Sequence, residues 1–127
     1  MRPVDESVGG EHPIEGPAVL IAAAKASVPG DRLPALLAAV QTSLEGELAT
    51  YRRRFECVAE DADRAVFLAD DGHWGRLGER LGFNDRETDA ARRAHTQQLR
   101  RLGSRTDRRE EFETALEIRE AVVIGTG

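Results

Sequence analysis

The sequence predicts a mainly α-helical fold, a compact bundle of about five helices with one small β-hairpin admitted near residues 55–69. Three observations lead there. Apolar residues recur at helical spacing over most of the chain, which separates it from a disordered composition. Helix stop and start signals, Pro29-Gly30, Gly82-Phe83-Asn84 and Gly103 to Asp107, punctuate those periodic stretches. Aromatics are only 5% of residues, so the core must be built from aliphatic side chains such as Leu33, Leu36, Leu37, Leu44, Leu99 and Leu116. At 127 residues the chain is the size of one domain.

Residues 1–16 are rich in Gly, Pro and acid with no apolar period, and read as a flexible acidic leader. Residues 17–127 read as a single helical domain. Pro17 suits a first helical position, so Ala18 to Ala26 forms a short apolar helix that stops at Pro29-Gly30. The strongest periodicity follows. Leu33, Leu36, Leu37, Val40, Leu44, Leu48, Tyr51 and Phe55 fall within roughly 60° of one line at 100° per residue. Asp31 is placed to cap this helix, Pro34 is tolerated in its first turn, and Val58 extends the stripe to about residue 58.

After the acidic break Glu60 to Arg64, the run Ala65-Val66-Phe67-Leu68-Ala69 ends at Asp70-Asp71-Gly72. Periodicity alone leaves it open between one helical turn and a strand pairing back onto Phe55 to Ala59; the strand is the preferred reading. Trp74, Leu77, Gly78 and Leu81 then share a helical face that Gly82 ends. Asn84 or Asp85 caps the next helix, which runs to Leu102 and stops at Gly103. Asp107 opens a last helix with Phe112, Ala115, Leu116, Val122 and Val123 inward.

Several function classes are excluded or demoted. The most apolar run, Ala18 to Ala24, is too short to span a bilayer and lies behind acidic residues, unlike a signal peptide. The lone Cys57 forms no internal disulfide, and the expected location is the cytoplasm. His12, His73, His95 and Cys57 show no metal-ligand spacing, so no metal and no cofactor is expected. His95 lies on the line Ala91, His95, Leu99, Leu102 and reads as a hydrogen-bonded core histidine; His73 reads as a helix start. Cys57, Ser43 and Ser104 sit in no nucleophile signature, and acidic pairs such as Glu45/Glu47 carry no information in an acidic chain. The expectation is a protein that is not an enzyme, with no catalytic residue.

The charge layout is more specific. All but one of the 18 basic residues are arginine, and the net charge is −5. Between Gly72 and Arg109 ten arginines face five acids, so that segment carries +5 and the remainder −10. Arg86, Arg93 and Arg100, spaced by seven, fall on one helical line opposite the apolar stripe, about 10 Å apart along the axis. With Arg92 and Arg101 they form the candidate interaction face. One reading makes residues 73–102 a helix-turn-helix whose second helix tracks phosphates, the pattern Trp-x-x-Leu-Gly-x-x-Leu-Gly-Phe serving as its first helix. The other makes the arginines a solvated or docking face, partly neutralised by Asp89. An acidic whole protein opposes DNA approach, so nucleic acid ranks second. The leading expectation is a protein–protein association module, a homo-oligomer or the partner of another protein, with no membrane role.

His73-Trp74, Leu81-Gly82-Phe83, Ala91-Arg92-Arg93-Ala94-His95 with Gln98-Leu99, and Arg109 to Phe112 through Leu116 to Glu120 resemble a family of short acidic proteins from halophilic archaea with no assigned function. The resemblance covers most of the chain beyond the leader. It implies a haloarchaeal cytoplasm, in keeping with the arginine bias, and brings no catalytic residues.

Overall fold

A computed structural model of the protein describes residues 12–29 and 31–127. Residues 1–11 of the expected leader, and Gly30 of the expected stop, lie outside the described residues. In chain order the elements are α1 (Gly16–Lys25), α2 (Leu33–Leu44), a single 3-10 turn (Glu45–Glu47), α3 (Leu48–Arg54), β1 (Glu56–Glu60), β2 (Arg64–Asp70), α4 (His73–Leu81), α5 (Asp85–Thr106), α6 (Arg109–Leu116) and β3 (Arg119–Gly125). The fold is mainly α with a small three-stranded antiparallel sheet of order β1-β2-β3.

The long periodic stripe is core. Leu33, Leu36, Leu37, Val40 and Leu44 of α2 are all buried, as is Tyr51 of α3. Its helix differs from expectation at both ends. Arg32, not Asp31, occupies the capping position, and no side chain caps it. The path tightens through Glu45–Glu47 around Gly46, and α3 ends at Arg54, where Phe55 turns extended. Val58 therefore belongs to β1, beside an irregularity between Cys57 and Ala59 that a bulge explains.

The hairpin is present: Glu56 pairs with Leu68, Cys57 with Phe67 and Glu60 with Ala65. Every residue from Ala65 to Ala69 is buried, so β2 is covered on both faces, which is why its sequence is a continuous apolar run instead of an alternation. The expected last helix, by contrast, ends at Leu116. Val122 and Val123 lie in β3, which pairs with β2 from Arg64/Gly125 to Asp70/Arg119. Four consecutive buried residues, Ala121 to Ile124, three of them β-branched, suit a two-sided strand better than one helical face.

The connection back to the sheet is made by α4, α5 and α6. Gly82, at φ 74°, ends α4, and Asn84 opens α5 with a capping box: its side chain accepts from the Glu87 N–H while the Glu87 carboxylate accepts from the Asn84 N–H. Helix α5 runs past Gly103 to Thr106, and Asp107 at φ 59° takes the left-handed end position. Gly103 serves close packing instead of termination, since a Cβ there would stand 3.0 Å from the Phe112 ring and 3.3 Å from the Arg109 backbone. α5 is the central helix, packed by α1, α2, α4, α6 and β3. β3 returns the favour at α4, where the Glu120 carboxylate accepts from the N–H groups of Gly72 and Trp74 and the Ala121 carbonyl accepts from the Trp74 indole.

Residues 12–16, assigned to the leader by composition, are packed. Ile14 is buried, the Pro13 carbonyl accepts from Arg64, and the Glu15 side chain reaches α5. Two buried apolar residues, Pro13 and Ile14, and long-range hydrogen bonds from Arg64, Gln98, Arg101 and Arg105 anchor a segment whose composition reads as loop.

Candidate functional site

The five arginines of the expected face divide into three settings. Arg92 and Arg93 both bind the Asp89 carboxylate, at 2.5 and 2.6 Å, as the one-turn spacing requires. Arg100 binds Glu113 of α6 at 2.7 Å. These three border two shallow grooves that share Arg92, Thr96 and Arg100: one of about 190 Å³ toward Ala22 and Lys25 of α1, the other of about 240 Å³ toward residues 116–120. Arg101 leaves this face and, with Arg105, binds Glu15. Arg86 sits exposed in the first turn of α5 with no carboxylate partner among the described residues.

Burial of Glu15 raises its carboxyl, but hydrogen bonds from Gln98, Arg105 and Arg101 outweigh this and hold it at about 2. The pairs on α5 are half exposed, so each adds little stability. Their main effect is to cancel the positive field locally: Arg92, Arg93, Arg100 and Arg101 all spend their charge on carboxylates of the same chain.

The second constellation is a row of rings from α3 to α5. The Tyr51 ring stands 5.2 Å from Phe55 and 5.6 Å from His73, His73 stands 5.8 Å from Trp74, and Trp74 stands 4.7 Å from His95. His95 is 1% exposed, and its Nδ1 accepts from the Val123 N–H at 2.9 Å. It is thus the hydrogen-bonded core histidine that its place on the apolar stripe implies. Accepting at Nδ1 requires a neutral ring with its proton on Nε2. Burial pushes this imidazole down to about 3.

His73 starts α4 as expected, but it is also buried, with Nε2 2.6 Å from the Tyr51 hydroxyl. Burial lowers it to about 4 against the opposing pull of Glu120. Its Nδ1 is shut off from solvent without a hydrogen-bond partner. Burial likewise raises the Tyr51 phenol to about 12. The Tyr51–His73 pair was not read from the sequence. The available signal was the single tyrosine in an aliphatic stripe, whose hydroxyl needs a partner once buried.

The Tyr51–His73 and His95–Val123 bonds tie α3 to α4 and α5 to β3. Neither buried histidine is bonded to a serine or cysteine among the described residues, the Ser43 hydroxyl accepts from Arg80, and Cys57 is exposed on β1. Among the described residues, no three His, Cys, Asp or Glu side chains gather as a metal ion would need. No described helix is long and apolar enough to cross a membrane.

Residues 12–126 match the family described as a domain of unknown function (DUF8048). The chain belongs to that family. No curated protein and no solved structure matches the chain.

Proposed function

We propose that this protein is a non-enzymatic association module that pairs with a second copy of itself through the outer face of α1. The observation that carries this is the composition of that face. A surface helix ordinarily turns charged or polar residues outward. The sequence of α1, Gly-Pro-Ala-Val-Leu-Ile-Ala-Ala-Ala-Lys, is apolar on all sides until Lys25. Ala18 and Ala22 are buried, yet Pro17, Leu20, Ile21 and Ala24 face outward, with Leu20 72% and Ile21 44% exposed. Laying this face against its own copy about a two-fold axis covers all four residues with one self-complementary patch.

The long stripe from Leu33 to Phe55 packs into the core, with Leu48 and Phe55 partly buried at its edge, and leaves α1 as the apolar outer helix. The nucleic-acid reading loses support. A recognition helix must be free to enter a groove, whereas α5 is walled by five other elements and five of its arginines hold in-chain carboxylates. A cytoplasmic setting, proposed with this function, accords with the exposed free thiol of Cys57.

Light scattering at micromolar concentration, in the salt where the protein is folded, tests the proposal. A mass at a multiple of 13.9 kDa is expected. Leu20→Glu with Ile21→Glu, both at exposed positions, should return the monomer mass without lowering the melting temperature of the monomer. A wild-type monomer persisting to millimolar concentration overturns the proposal, as does an oligomer that the double substitution leaves intact.

A further inference from the structure

Among the described residues eleven arginines hold a carboxylate within 3.3 Å. Arg53, Arg54, Arg76, Arg86 and Arg109 do not. Their distribution is uneven. Arg54 and Arg76 line one cleft between α3 and α4, and Arg53 donates to Thr50, which lines it too. Arg80 also lines this cleft, but its charge is answered by Glu47 at 3.2 Å. Two guanidinium groups from different helices therefore line one concavity whose only lining carboxylate among the described residues, Glu47, is taken by Arg80. The chain has 23 acids for 18 bases, so the imbalance is local and does not come from a shortage of carboxylates. Like charges brought together repel unless an anion joins them.

The geometry points to a binding site for a phosphate group in this cleft, held between Arg54 and Arg76. Two uncompensated guanidinium charges match a dianion, and a planar guanidinium engages phosphate oxygens through paired N–H donors. The Thr50 hydroxyl adds a neutral donor at the wall. The floor is rigid, because Tyr51 and His73 are buried and hydrogen-bonded to each other, and the Arg54 guanidinium is already seated 5.2 Å over the Phe55 ring. Holding the side chain there reduces the entropy lost on binding. The cleft volume of about 110 Å³ accommodates one phosphate group and is well below that of sites for drug-sized ligands. The ligand is thus inorganic phosphate or the terminal phosphate of a larger molecule whose remainder stays in solvent. This site lies apart from the outer face of α1 and does not depend on self-association.

Calorimetric titration of the full chain with inorganic phosphate, at constant ionic strength in chloride, should show one saturable site. Arg54→Gln and Arg76→Gln should each weaken it about tenfold or more, the size expected for losing a hydrogen-bonded charge. Both side chains are exposed, so these variants retain the fold. Arg86→Gln and Arg109→Gln remove arginines that are equally unpaired but lie elsewhere, and should leave affinity unchanged. A parallel titration with glycerol phosphate separates the two sources: tighter binding than inorganic phosphate identifies a terminal phosphate ester, and equal or weaker binding identifies the free ion. No saturable binding overturns the assignment. So does equal weakening by Arg86→Gln and Arg109→Gln, which marks a diffuse charge effect, or acetate binding as tightly as phosphate.

Discussion

Lowering the pH should strip stability from this protein well before its carboxylates titrate, because two of its core side chains are histidines held neutral. His95 falls from the ordinary 6.5 to about 3 and His73 to about 4, both chiefly through burial. A depressed histidine binds fewer protons folded than unfolded, so its contribution is complete above pH 6.5 and is lost as the pH falls toward the folded value. At 1.36 kcal/mol per pH unit, each histidine costs about 3 kcal/mol between pH 7 and pH 4, about 6 kcal/mol together. That is comparable with the whole stability of many domains of this size.

The structural cost at His95 is specific. A proton arriving at Nδ1 would face the Val123 N–H that now donates to it, setting donor against donor at the seam of α5 and β3. Urea titrations at a series of pH values should show unfolding free energy dropping steadily from pH 7 downward. Glu15, held at about 2, adds a further loss only below about pH 4.5. His95→Leu should remove about half of the loss between pH 7 and pH 4, at a cost near pH 7 of about 1–3 kcal/mol for the orphaned Val123 N–H. An unfolding free energy flat to within about 0.5 kcal/mol between pH 7 and pH 5 would refute the reasoning.

Two further outcomes follow from packing. Leu37→Ala or Leu44→Ala, each at a fully buried position, should cost about 2–5 kcal/mol in a denaturant titration; a loss below about 0.5 kcal/mol would mean that α2 does not carry the core. Gly78→Ala would drive a methyl into the Thr88 side chain where α4 crosses α5, so about 1–3 kcal/mol should be lost and much of it recovered by adding Thr88→Gly. Failure of the second substitution to recover stability would place the strain elsewhere.

The sequence by itself determined the elements whose signals are local. The stripe of α2 follows from spacing along one helix, and the α4–α5 junction from Gly82 and a capping residue at Asn84 or Asp85, while the short apolar run of β2 between acidic breaks favours a strand without excluding a helical turn. His95 was legible because helical spacing placed it among residues that had to be buried. Tertiary structure decided what depended on partners far along the chain. Val122 and Val123 fit a helix face until β2 offers backbone groups to pair with, and only then does the β-branched run settle as a strand. Gly103 reads as a stop until Phe112 closes over it. The arginine face is real as a line on α5. Apart from Arg86, its charge is nevertheless answered by Asp89, by Glu113 on the next helix and by Glu15, 86 positions before Arg101. Tyr51 and His73, each unremarkable in its own helix, become one buried pair when α3 meets α4. Periodicity and capping act within a few residues. Ion pairing, strand pairing and the burial of polar atoms are set by which surfaces meet, and the chain fixes that only once it has folded.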